Sequence, residues 1–199
     1  IFPQIVKGSG NSTFIQDQLP SIFHWENHLP GEVVQETIET FELYKKNLPP
    51  GFGHLLNRYE IKDVVMKVVG VGSVGTACWV VLLQTGDGDP LFIQAKEARK
   101  SVLEAYTGKS IHPNNGQRVV YGYRLMQPFS DPFLGWAVGQ GGRHLFFRQL
   151  RDIKISIKVE TFGRQEMLSY ADWCGQALAL LHARSGDSAL LSGYMGSSD

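Results

Sequence analysis

The sequence predicts an α+β fold: a five-stranded antiparallel sheet with flanking helices and a long C-terminal helix. Three observations carry this. Three β-rich runs, "IKDVVMKVV", "ACWVVLLQ" and "PLFIQAKEA", follow one another across short glycine-bearing turns, as a meander does. Two more, "PFLGWAV" and "HLFFRQL", flank "GQGG" as a second hairpin. In "RQEMLSYADWCGQALALLHARSGD", Leu168, Ala171, Cys174, Leu178 and Leu181 recur on one helical face, with Gly186 as the stop.

The remaining elements follow in chain order. Residues 1–31 read as an irregular arm with prolines at 3, 20 and 30, and "SIFHWENHL" offers apolar residues to tack it down. His24 and His28 read as a solvated pair beside Trp25 rather than a metal site. From Gly31, "EVVQETIETFELYKKNL" sets Val34, Ile38, Phe41 and Leu48 near one helical face and ends at Pro49-Pro50. "GFGHLLNRY" reads as a short helix. Beyond the meander, residues 98–106 and "NGQRVVYGYRLMQ" read as helices, the second with Val119, Tyr123 and Met126 in a stripe.

Composition narrows the function classes. The 199 residues are 43% hydrophobic and 19% charged, with 19 basic and 19 acidic side chains. No global field recruits nucleic acid or an anionic membrane, so neither is assigned as a partner. No apolar run approaches the roughly 20 residues of a membrane helix. Cys78 and Cys174 read as buried reduced thiols in a cytoplasmic protein, with one disulfide as the alternative. The six histidines are scattered and no Cys/His group has zinc spacing, so no metal ligands are assigned. The start, "IFPQIVKGSG", lacks an initiating methionine and reads as the interior of a longer protein.

"KVVGVGSVGTACWVVLLQ" holds the chemistry. Its glycines follow G-x-G-x-x-G, which in a dinucleotide fold would open a helix. Here Gly75 is followed by Thr76, Ala77, Cys78, Trp79, Val80 and Val81, a strand-forming run, so that reading is rejected. A hairpin tipped by Gly70, Gly72, Ser73 and Gly75 instead brings backbone N–H groups close to phosphate oxygens. Kinases cover ATP with such a turn and place a lysine for the α- and β-phosphates on the next strand. Lys96 stands there; the plain alternative is an edge-strand lysine that discourages aggregation. "TGKS" at 107–110 is not a Walker loop, because the glycine needed at 103 is Leu103.

A kinase-type lysine also needs an acidic partner. Glu97 points to the opposite sheet face, and "NGQRVVYGYRLMQ" has no carboxylate, which leaves Glu104. The chain contains no H-R-D-x-x-x-x-N, H-G-D, D-F-G or D-F-D motif. In "LLHARSGD", His182 and Asp187 read as helix-end residues rather than a catalytic loop.

These stretches, with "DPLFIQAKEARKSVLEAY", "GQRVVYGYRLMQPFSDPFLGW", "FFRQLRDIK" and "YADWCGQALALLHARSGD", resemble the bacterial family called domain of unknown function 2252. The likeness runs from about residue 45 to the C-terminus. The family is similar to circularly permuted members of the protein-kinase-like superfamily. Its Gly-Asp-x-His-x-x-Asn loop and Asp-x-Asp-rich metal segment precede the glycine hairpin in the chain. The resemblance implies a kinase small lobe at 61–160, a helical lead-in at 32–60, and a long helix opening the large-lobe portion at 161–199. It implies ATP and Mg2+ as cofactors, Gly70, Gly72, Ser73, Gly75 and Lys96 on the phosphates, and a hinge at Gln149, Leu150 and Arg151. Members often carry Glu where this chain has Tyr121.

Two functional readings follow. One is the nucleotide-binding portion of a phosphotransferase with an unknown phosphate acceptor. Its catalytic residues and metal ligands would lie in an upstream part of the same protein, so this piece alone would be inactive. The other is a non-catalytic binding domain that keeps the fold. An exposed lobe face would also allow a homodimer.

Overall fold

The computed structural model describes residues 2–25, 30–68, 70, 75–150 and 157–196. They form two compact units, Ile1–Val120 with Asp131–Ile153, and Tyr121–Ser130 with Lys154–Asp199.

The first unit opens with α1 (Phe2–Ile5), β1 (Val6–Lys7), β2 (Phe14–Ile15) and β3 (Ile22–Phe23). Then come α2 (Pro30–Lys46), α3 (Phe52–Leu56), β4 (Tyr59–Lys67), β5 (Cys78–Thr85) and β6 (Pro90–Glu97). After α4 (Glu104–Thr107) and α5 (Asn115–Met126, which passes into the second unit at Tyr121), β7 (Gly135–Val138) and β8 (His144–Gln149) complete the set. The main sheet is antiparallel and six-stranded, ordered β3-β4-β5-β6-β8-β7, while β1 and β2 pair separately. The expected five strands are all there. The sixth comes from the arm, where Ile22 pairs with Lys67 and Phe23 with Met66 on the β4 edge.

Strand alternation gives the sheet two buried faces. On one, Val64, Val81, Leu83, Ile93, Ala95 and Phe147 meet Phe41 and Tyr44 of α2 and Leu48 just past its end. Tyr44 is fully buried, stacks on Phe147 at 4.3 Å and donates its hydroxyl to Phe133 O at 2.5 Å. Burial, with Asp131 adding to it, pushes the Tyr44 phenol well above its ordinary range, so it stays a neutral donor. The expected α2 stripe is right at Phe41 and Leu48, but Ile38 is exposed and Tyr44 takes the core position; the Val34 side chain lies outside the description. On the other face, Val65, Val80, Leu82 and Phe92 are covered by Ile5, Ile15 and Ile22 of the arm.

Two helical expectations shift. Of the 98–106 stretch only the part from Glu104 is helical, in α4 (Glu104–Thr107), because Ser101 accepts from Leu103 N through its hydroxyl and from Glu104 N through its carbonyl, closing a turn instead. In α5 the buried residues are Gly116 and Val120 rather than Val119, Tyr123 and Met126. Gly116 sets that rotation: a Cβ there would stand 2.1 Å from Leu145 O.

The second unit holds α6 (Arg164–Ser185) and α7 (Ser188–Met195). Glu166 accepts from Gly163 N at 2.7 Å and so caps the start of α6. Gly186 has an extended backbone rather than a left-handed one, and Asp187 caps α7 through Ala189 N and Leu190 N. No residue of α6 or α7 is buried, so the periodic face of Leu168 and Leu178 is open. Both cysteines are free; Cys78 is buried as expected, but Cys174 is exposed on α6. Among the described residues no helix is long and apolar enough to cross a membrane.

Candidate functional site

Lys96 sits one residue from the end of β6, directly opposite Cys78 of β5 and Phe146 of β8. Period two puts Gln94 beside it, and register puts Arg148 opposite Gln94. These side chains continue the arm-covered face beyond its apolar half. Gln94 is buried and satisfied at both ends, donating to Cys78 Sγ at 3.2 Å and accepting from Arg148 Nε at 3.1 Å. Burial pushes the Cys78 thiol up, against the opposing pull of Lys96, the Gln94 amide, Lys67 and Arg148. The net effect is upward, so the thiol is neutral. Three cations therefore act on one point of the sheet. Lys96 itself is half-buried and, among the described residues, forms no hydrogen bond or ion pair.

The glycine turn enters this corner through β5. No helix follows Gly75: β5 begins at Cys78, in line with a hairpin. Gly75 has φ +78°, the left-handed region where a side chain is strained, and Gly70 is exposed with open space around it. Gly72 and Ser73 lie outside the described residues. The base of the turn is tied to the end of β6. Glu97 N donates to Ala77 O at 2.9 Å, and Ala77 N donates to Glu97 Oε2 at 3.1 Å. Glu97 thus points away from Lys96, as alternation requires.

Other assigned residues fall elsewhere. The Glu104 carboxylate has Lys100 as its ion partner at 3.9 Å rather than Lys96. Gln149 N donates to Asp131 Oδ2 at 2.6 Å, and Leu150 N donates to Phe92 O at 2.9 Å. The Leu150 side chain packs on the second core, and Arg151 lies outside the described residues. A cavity of about 100 Å³ opens on the opposite, α2-covered face, between Thr37, Thr40, Val64, Trp79 and Arg143, and does not include Lys96.

Sequence reasoning missed Gln94, Cys78, Arg148 and Lys67 as neighbours of Lys96. Gln94 and Cys78 were within reach, since two-residue spacing and hairpin register place them; Arg148 depends on β8 crossing to pair with β6. His24 also corrects its expectation. It is held between carboxylates, Nδ1 at 2.6 Å from Asp17 Oδ1 and Nε2 at 3.1 Å from both oxygens of Asp63, while His28 lies outside the described residues. No group of three or more His, Cys, Asp or Glu among the described residues could hold a metal ion.

An antiparallel α+β domain with a cationic corner beside a glycine turn is the class this geometry defines. The chain belongs to the family described as "Uncharacterized protein conserved in bacteria (DUF2252)", whose model matches residues 1–199 and so takes in the arm as well. Neither the curated proteins nor the solved structures yield a match.

Proposed function

We propose that this chain is the ATP-binding portion of a kinase-like phosphotransferase acting on an unknown acceptor. The observation that carries the reading is the Lys96 ammonium, without a partner among the described residues, in a corner where Lys67 and Arg148 also act, next to a glycine turn. The order of parts supports it: a meander with glycines between its first two strands and a lysine on the third, then a helix, then two more strands. A polyphosphate fits such a donor set, since cations and turn N–H groups offset its charge without a side chain in the way. Lys96 would hold the α- and β-phosphates, and Gly70 to Gly75 would lie over them. Gln149 to Arg151 would edge the adenine pocket. Mg2+ does not fit the described residues of this corner, which offer it no carboxylate, so its ligands and the catalytic base are assigned outside this chain.

One observation favours a second reading, a binding domain without catalysis. Lys96 lacks an acidic partner among the described residues, and a kinase lysine depends on one for its orientation.

Thermal unfolding with ATP, with and without Mg2+, tests the proposal on wild type and Lys96→Ala. Ligand at about 100 times its dissociation constant adds roughly 2.7 kcal/mol. The shift is expected in wild type and absent in the variant. Equal shifts in both would remove Lys96 from the site, and no shift in wild type would remove the nucleotide.

A further inference from the structure

We infer that Glu97 and Arg99 are positioning residues that fix the C-terminal base of the glycine turn against the strand bearing Lys96. The inference rests on the nucleotide reading above for its purpose, but on geometry for its existence.

Gly75 has neither a side chain nor a regular-strand conformation to hold it, so its place must come from bonds made to its backbone. Arg99 supplies one: its Nη2 donates to Gly75 O. The guanidinium is in turn held by Glu97, whose Oε1 accepts from Arg99 Nε at 2.8 Å. The other Glu97 oxygen accepts from Ala77 N at 3.1 Å. A single carboxylate thus binds both the turn's exit strand and the arginine that reaches back to the turn. A planar fork can bridge a carboxylate and a carbonyl at once, which a lysine ammonium on a flexible stem does less rigidly. The far side is anchored too, because Arg118 Nη2 of α5 donates to Arg99 O at 2.9 Å. From α5 through Arg99 to Gly75, the linkage joins α5 to the glycine turn, and Lys96 stands immediately before its carboxylate. Hydrogen bonding to Arg99, reinforced by Ala77 N, holds the Glu97 carboxyl below the usual carboxylate range, so the linkage is ionised at neutral pH.

The chemical consequence is preorganisation. If the turn's N–H groups are to meet phosphate, fixing the turn before the ligand arrives lowers the ordering cost of binding. The side chains concerned touch backbone rather than ligand, so they act through the turn.

Amide hydrogen exchange on the whole chain tests this without ligand. In Glu97→Ala, which removes its acceptor, the Ala77 amide should exchange about tenfold faster, the loss of one charge-assisted bond. In Arg99→Ala, which frees that carboxylate, its exchange should rise in the same direction by less. Amides of the β8 strand should be unchanged, and Arg99→Lys should recover part of the protection. Separately, ATP affinity should fall about tenfold in Arg99→Ala, with the thermal midpoint of the free protein nearly unmoved. Unchanged exchange at Ala77 overturns the inference. So does faster exchange spread evenly over the sheet, which would mark an ordinary structural role. A wild type that binds no ATP removes the proposed function, while the exchange at Ala77 still decides whether the anchor exists.

Discussion

One sheet face carries two different surfaces side by side. One part, Val65, Val80, Leu82 and Phe92, is covered by Ile5, Ile15 and Ile22 of the arm. The other part is polar: Cys78 of β5, Gln94 and Lys96 of β6 and Arg148 of β8. β5 passes from one surface to the other within a single alternation, Val80 to Cys78. The first half is arranged for stability, since apolar burial and a closing arm both favour the folded chain. The second half costs more to keep: three cations act on one thiol, and a buried amide must be satisfied on both sides. A fold that keeps such a corner next to a well-made core is typical of a site that binds something.

The largest expected effect breaks the covered half. Ile15 is fully buried, and its backbone N–H donates to Asp63 Oδ2 at 2.6 Å, so the arm is held by both packing and a charged acceptor. Ile15→Ala should destabilise by about 3 kcal/mol, the usual range for truncating a fully buried aliphatic side chain. Urea unfolding reads it. A loss below about 0.5 kcal/mol, the scale of a surface change, would mean the arm does not close the face.

A smaller effect sharpens the comparison through pH. His24 joins the arm to β4, with Asp17 on the arm and Asp63 on the strand as the carboxylates bonded to its ring. Burial pulls its pKa down, but Asp63 and Asp17 outweigh that and the net shift is upward. A raised folded-state pKa means the contribution is complete below the unfolded value of about 6.5 and is lost as pH rises through the folded value. The imidazole is partly exposed, so screening limits the pair to about 0.5–1 kcal/mol. A double-mutant cycle of His24→Ala and Asp63→Asn should give that coupling near pH 5.5 and almost none near pH 8.5. Equal coupling at both would show a neutral hydrogen bond in place of an ion pair.

How much of this the sequence discloses differs between the halves. The strand runs were legible because β-branched residues and alternation mark them locally, and β4, β5, β6, β7 and β8 lie where those runs are. β3 was not legible. Two residues, Ile22 and Phe23, carry no period, and only pairing with β4 makes them a strand. The long helix was legible, but the burial of its apolar face was not, since period says which residues share a face and not what covers it. At the candidate site, Lys96 and the glycines were found by order along the chain. Arg148 and the Asp17–His24–Asp63 clasp were not, because each joins residues far apart in sequence through register alone. Glu104 was chosen as the first usable carboxylate once Glu97 was set on the opposite face, and Lys100 is its ion partner in space.

The smallest effect asks most of the comparison. If the cationic half serves binding at the cost of stability, neutralising Lys96 should not weaken the free protein. Lys96→Met keeps the length and most of the apolar stem while removing a charge that has no partner among the described residues. Its charge acts on the same thiol as Lys67 and Arg148, and removing it takes away no ion pair among the described residues. The free variant should unfold within about 0.5 kcal/mol of wild type, or slightly later. In ATP the order should reverse, with wild type the more stable. A loss above about 1 kcal/mol in the free protein would make Lys96 a structural residue. The contrast between the two halves of the face would then vanish, because both would be holding the sheet together.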